Sequence, residues 1–226
     1  MTQEKIDNLI YEKIKDPKGI SDPIYDGIIN ELEYNQAKYK ILWVLKESHD
    51  EENDGEGGWS FREHFSNVKD YSGIKEKRST LYPIVYISNG ILNDLEYGDM
   101  NEIKEDSELI NILRKIAYIN VKKIPGKTKS NNTELKEAYN KYKDILFLQI
   151  NTYNPDIIIF AGTFDLFSND LKLEDGYCEG DGNVEYIIQN KKLYINAYHP
   201  SQTQITNEEY FQGIIYSFEE WKKRNN

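Results

Sequence analysis

At 226 residues the chain has room for one domain with a substantial core. A hydrophobic content of 38% and 18 tyrosines exclude a disordered chain, and a single cysteine, Cys178, excludes an internal disulfide or a multi-cysteine metal or iron–sulfur site. The net charge of −11 argues against a protein that coats nucleic acid broadly. The lack of a span-length apolar stretch or a secretory signal leads us to expect a cytoplasmic protein.

Residues 2–16, "TQEKIDNLIYEKIKD", place Ile6, Leu9, Ile10 and Ile14 at helical spacing, and Pro17 with Gly19 end the run. Ser21-Asp22-Pro23 offers an N-cap and an early proline for a second helix through "IYDGIINEL" (24–32). Together these make residues 1–37 an N-terminal helical segment packed on the single domain expected over 1–226. "YKILWVL" (39–45) is short, apolar and β-rich, a strand buried on both faces.

A polar, Gly-rich loop follows and passes into a short helix near Phe61. Residues 78–95 and 107–116 read as helices, the second amphipathic, and "IAYINV" (116–121) as a second buried strand. A long helix (133–153) precedes the strand "NPDIIIFAG" (154–162). Residues 184–199 read as two strands joined at Gln189-Asn190, and 207–223 as a closing helix. Buried strands alternating with helices predict an α/β fold, a three-layer αβα domain around a mainly parallel sheet.

In such a sheet ligands collect beyond the carboxyl ends of the strands. Those ends read "LKESHDE", "NVKK", "AGTFD" and "YHPSQT": a carboxylate, an Asn, a Gly turn and a His, a set suited to a polar planar ligand. The bland readings remain open beside this one. Asn120 also fits a turn after its strand, Trp59 and Phe61 also fit core anchors, and Asp165 fits either a helix cap or a pocket wall. The acidic run His49–Asp54 lacks the fixed spacing of metal-ligand motifs, and "GEGG" (55–58) lacks the Lys-Ser/Thr of a phosphate loop.

In order, these strand ends resemble the uracil-DNA glycosylase superfamily, over about Tyr39 to Thr203. "ILWVLKES" stands at the family's first motif, "AYINVKK" is similar to the strand whose Asn reads the base, and "NAYHPSQT" looks like the His-Pro-Ser motif. The resemblance implies a glycosylase-like fold and hydrolysis of the N-glycosidic bond of a flipped, damaged pyrimidine, without cofactor or metal. Its partner would be DNA carrying the damaged or deaminated base, single-stranded or mismatched for preference, and the protein would act as a monomer. Glu47 and His199 would be catalytic. Asn120, Phe61, Trp59 and Ser201 would hold the base, and Lys122, Lys123 and Lys127 the phosphates.

The first motif departs from the family pattern. Leu45-Lys46-Glu47-Ser48 has neither its Gly nor its Pro, and Lys46 stands where other branches carry Gln or Glu. That departure keeps a second expectation alive, a non-catalytic module on the same fold that binds a nucleobase or nucleic acid. A third is an enzyme of free nucleosides or nucleotides.

Overall fold

The computed structural model describes residues 2–14, 22–48, 57–68, 72, 74, 78–126, 131–173, 178–179 and 184–225. The helices are α1 (Gln3–Ile14), α2 (Glu31–Gln36), α3 (Phe61–Asn67), α4 (Arg78–Asn93), α5 (Asn132–Tyr153), α6 (Phe164–Leu171) and α7 (Asn207–Asn225). The strands are β1 (Gly27–Ile28), β2 (Ile41–Leu45), β3 (Ala117–Asn120), β4 (Ile157–Ala161), β5 (Cys178–Glu179), β6 (Glu185–Gln189) and β7 (Lys192–Ala197). They form one sheet in the order β1-β3-β2-β4-β7-β6-β5.

The protein is α/β, with helices on both faces of the sheet. Every residue of β2, β3 and β4 is buried, so these strands read as continuous apolar runs. Alternate side chains divide between two cores. On one face Ile41, Trp43, Ile159 and Ile195 pack against α4 and α7, through Ile84, Ile87, Phe211 and Phe218. On the other, Leu42, Val44, Ile158 and Phe160 pack against α1, α5 and α6, through Ile6, Ile10, Leu146 and Phe167.

The sheet is mixed rather than mainly parallel. Parallel pairing is confined to the four central strands, β3-β2-β4-β7. The edges, β1 on one side and β6 with β5 on the other, run antiparallel. The cause at the second edge is local. Asn190 and Lys191 both take positive φ, 52° and 64°, the backbone of a two-residue hairpin that can only return the chain antiparallel.

Two expected elements take another form. No helix covers 24–32. Tyr25 bridges to Ser60, Gly27–Ile28 joins the sheet beside β3, and the helix waits until Glu31. Asn30 sets that start, since its side chain accepts the backbone N–H groups of Leu32 and Glu33. Gly27 adopts φ 132°, with the side chains of Tyr153 and Gln3 filling the space a Cβ would need. The segment at Ser107–Lys115 is 3₁₀ rather than α. Its buried pairs Leu109/Ile112 and Ile110/Leu113 are spaced by three, the period of that helix.

Candidate functional site

The carboxyl ends of the parallel strands form one edge, and the register places Leu45 of β2 beside Asn120 of β3. Across β4, Ala161 pairs with Ala197 of β7, two residues before His199. The turn after β4 is drawn down onto this edge: the Gly162 N–H donates to Ala197 O (2.7 Å), and the Thr163 hydroxyl donates to Val44 O (2.9 Å). Glu47, Asn120 and His199 therefore share an edge, at the carboxyl ends of β2, β3 and β7. From Asn120 to His199 is three strand steps, about 14 Å at the usual spacing.

Asn120 is held by its backbone, whose N–H donates to Asp26 Oδ2 at 2.7 Å. Its side chain is another matter. The residue is only 2% exposed, yet neither Nδ2 nor Oδ1 of its amide has a hydrogen-bond partner. An unmet buried polar group costs about 1–3 kcal/mol, and folded proteins keep few of them. A ligand edge that offers one donor and one acceptor would satisfy both atoms.

The aromatic candidates separate. Phe61 is buried and packs on Phe65 and Tyr118, with ring centroids 5.4 and 5.0 Å away, so it is a core residue and not a stacking platform. Trp59 lies against Phe61 at 4.4 Å and is only half-buried. Its backbone is fixed by the Tyr25 N–H, which donates to Trp59 O at 2.9 Å. Tyr118 and Asn120 are two residues apart on β3 and thus on one face, so these aromatics line the side that Asn120 faces.

His199 meets Ser201 through Nδ1. The Ser201 backbone N–H points at that nitrogen (3.3 Å), and the Ser201 hydroxyl lies 2.8 Å from it. A backbone N–H can only donate, so Nδ1 carries the lone pair and the ring proton sits on Nε2. Ser201 thus orients the imidazole. Burial, and after it the charge of Lys46, lowers the His199 pKa to about 4. At neutral pH the ring is an uncharged donor.

The cations are placed differently from the phosphate-binding group expected of them. Lys123 is fully buried, with Nζ at 2.7 and 2.8 Å from the Asp26 carboxylate and 2.8 Å from Gln149 Oε1. It ties β3 to the segment before β1 and cannot reach a phosphate. Burial lowers its pKa, and Asp26 opposes that shift. Lys122 lies 3.3 Å from Glu47 and 3.5 Å from Glu134, its side chain mostly covered. Lys127 lies outside the described residues, as does the acidic run 49–54.

Glu47 is consequently an ion-paired carboxylate. Its side chain is 7% exposed and is overlain by Gly126, where a Cβ would stand 2.4 Å from Glu47 Cδ. Lys46 turns the other way, toward β7. Its Cε lies 3.0 Å, and its Nζ 3.6 Å, from where a Gly162 Cβ would be; the His199 backbone nitrogen is also 3.6 Å from that point. The strand end therefore splits two neighbouring side chains, Glu47 toward Asn120's strand and Lys46 toward His199.

Asp26 and Lys46 hold places in the site that the motifs of the sequence do not mark. Asp26 was visible as a lone acid within the apolar run "PIYDGII", a position where a carboxylate must find partners inside the protein. Asp26 accepts from Asn120 N, Lys123 Nζ and Gln149 Nε2 (2.9 Å). Gln149 in turn donates to Tyr153 (3.1 Å), which completes a buried network beneath the site.

A groove of about 460 Å³ between α1 and α5, lined by Leu9, Lys13, Asp144 and Leu148, lies away from this edge. Among the described residues no helix is long and apolar enough to cross a membrane. Compared with known protein families and with curated proteins, the sequence matches none of them.

Proposed function

We propose that the strand edge holds a pyrimidine-like base and that the protein is a uracil-DNA glycosylase-like N-glycosylase. The observation that carries this reading is the Asn120 amide, buried with its donor and its acceptor both unmet. A uracil edge presents the complementary pair; a cytosine edge presents the same pair reversed, which the amide would meet only by turning over. His199, neutral and with its proton on Nε2, would donate to the base oxygen where charge collects as the glycosidic bond breaks. Trp59 would cover the base. Flipping costs a few kcal/mol, least in single strands and mismatches, so those substrates are favoured.

The test is release of free uracil from single- and double-stranded uracil-containing DNA. His199→Ala and Asn120→Ala are expected to lower release at least about 100-fold. Asn120→Ala is also expected to leave stability to urea unchanged or raised by about 1 kcal/mol, because it deletes two unmet polar atoms. A large loss of stability would instead mark Asn120 as structural. Background release by the unmodified protein from uracil, deaminated purines and oxidised pyrimidines alike would sink the catalytic reading.

The Glu47–Lys122 ion pair favours a second reading. A carboxylate oxygen already engaged by an ammonium is not free to orient a water. With Glu47 so engaged, the same edge would bind a base without cleaving its bond. Retained binding to uracil-containing or abasic DNA with no base release would establish that version.

A further inference from the structure

We propose that Lys46 is a catalytic residue: its ammonium stabilises the negative charge of the departing base beside His199. The inference rests on the glycosylase reading and extends it to a residue that the resemblance left without a role. Three observations carry it. Lys46 follows β2 directly, so its backbone is set by the sheet: the Lys122 N–H donates to Lys46 O at 2.9 Å. Its side chain crosses over Gly162, a glycine at φ 73° where any side chain would meet Lys46 Cε at 3.0 Å. That path leads it to the turn that carries His199, and its charge is felt at the imidazole.

The third observation is one of partners. Lys122 and Lys123 are both tied to carboxylates. Among the described residues no carboxylate forms an ion pair with Lys46, although the chain as a whole is acidic. A half-buried lysine that no described carboxylate pairs, beside a neutral imidazole donor, suits an anion that appears during reaction.

The bond between the sugar C1′ and the base N1 breaks, and its electron pair leaves with the base, spread over N1 and the ring carbonyl oxygens. Water adds to C1′, and its proton passes to Glu47 or to solvent. The base anion, held by the His199 N–H and the Lys46 ammonium, leaves and takes a proton from solvent. Free base and an abasic sugar result.

The experiment measures kcat and KM for release of uracil and of 5-fluorouracil from single-stranded DNA by the unmodified protein, Lys46→Met and Lys46→Arg. Lys46→Met is expected to lower kcat for uracil about 100-fold with KM nearly unchanged. 5-Fluorouracil is the better leaving group and needs less stabilisation, so its loss should be about tenfold smaller. Lys46→Arg keeps the charge and should retain most activity. If the unmodified protein releases base and Lys46→Met matches it within about twofold for both bases, the role of Lys46 is overturned and the glycosylase reading stands. Equal losses for the two bases would also overturn it. No release by the unmodified protein overturns the role together with the reading it rests on.

Discussion

At the residue scale, the site turns on how environment tunes one histidine. Burial disfavours the charged ring, and the nearby Lys46 ammonium disfavours it further, so the folded-state pKa falls to about 4 from 6.5. The unfolded chain then binds the extra proton between those values. The stability held with a neutral His199 is fully present above about pH 6.5 and is lost as the pH falls through 4. Imidazole resonances followed by NMR should show His199 titrating near 4, and base release should show no acid limb at 6.5. Lys46→Met should raise that midpoint only part of the way, since burial is the larger cause. A midpoint near 6.5 in the unmodified protein would contradict the environment described here.

At the element scale, the question is what holds β3 so that Asn120 stands at its end with an unmet amide. β3 is four residues long and β1, its outer neighbour, only two. The missing support comes from the Asp26–Lys123 pair, both side chains almost wholly inaccessible to water, with Gln149 bringing in α5. Breaking a buried pair by removing one partner strands the other charge and costs about 3–5 kcal/mol. Lys123→Met should therefore lower stability by about that amount. Lys38→Met, which removes an exposed pair with Asp94 at 3.0 Å, should cost less than about 1 kcal/mol. Urea denaturation of the two variants decides it, and equal costs would show that the buried pair does not anchor β3.

The same elements show what the sequence reveals and what it hides. β2, β3 and β4 are legible because burial on both faces demands apolar residues at every position. The hairpin expected at Gln189-Asn190 is legible because turn residues separate two β-rich runs, and its turn falls one residue later, at Asn190-Lys191, with Gln189 still in β6. Lys123 is not: a lysine in the loop "NVKKIPGKTK" looks solvated until Asp26, 97 residues earlier, is brought against it. The helix expected over 24–32 fails for a related reason. Its residues have a tolerable helical pattern, but Asp26 and Gly27 are committed to tertiary partners that local periodicity does not register. At the site, Asn120 and His199 follow from their strand ends, while the ion pair on Glu47 and the path of Lys46 depend on Gly126 and Gly162, two positions without side chains.

At the scale of the whole molecule, charge sets how a nucleic-acid partner would be held. The net charge is −11, and both lysines after β3 that fall among the described residues are engaged within the protein. On the described residues alone, a strand of DNA would then be gripped mainly by one extruded base and by few phosphate contacts. Each neutralised phosphate on a single strand contributes about −0.7 to the slope of log K against log salt. With one or two such contacts the slope should lie between about −0.7 and −1.4, far shallower than for a basic DNA-coating protein. Fluorescence anisotropy with a uracil-containing oligonucleotide, titrated at several salt concentrations, measures it. Undamaged oligonucleotide should bind weakly throughout, because without an extruded base little of the grip remains. A slope steeper than about −4, or equal affinity for the undamaged strand, would mean that a basic surface does the holding. The Asn120 edge would then be secondary in recognition.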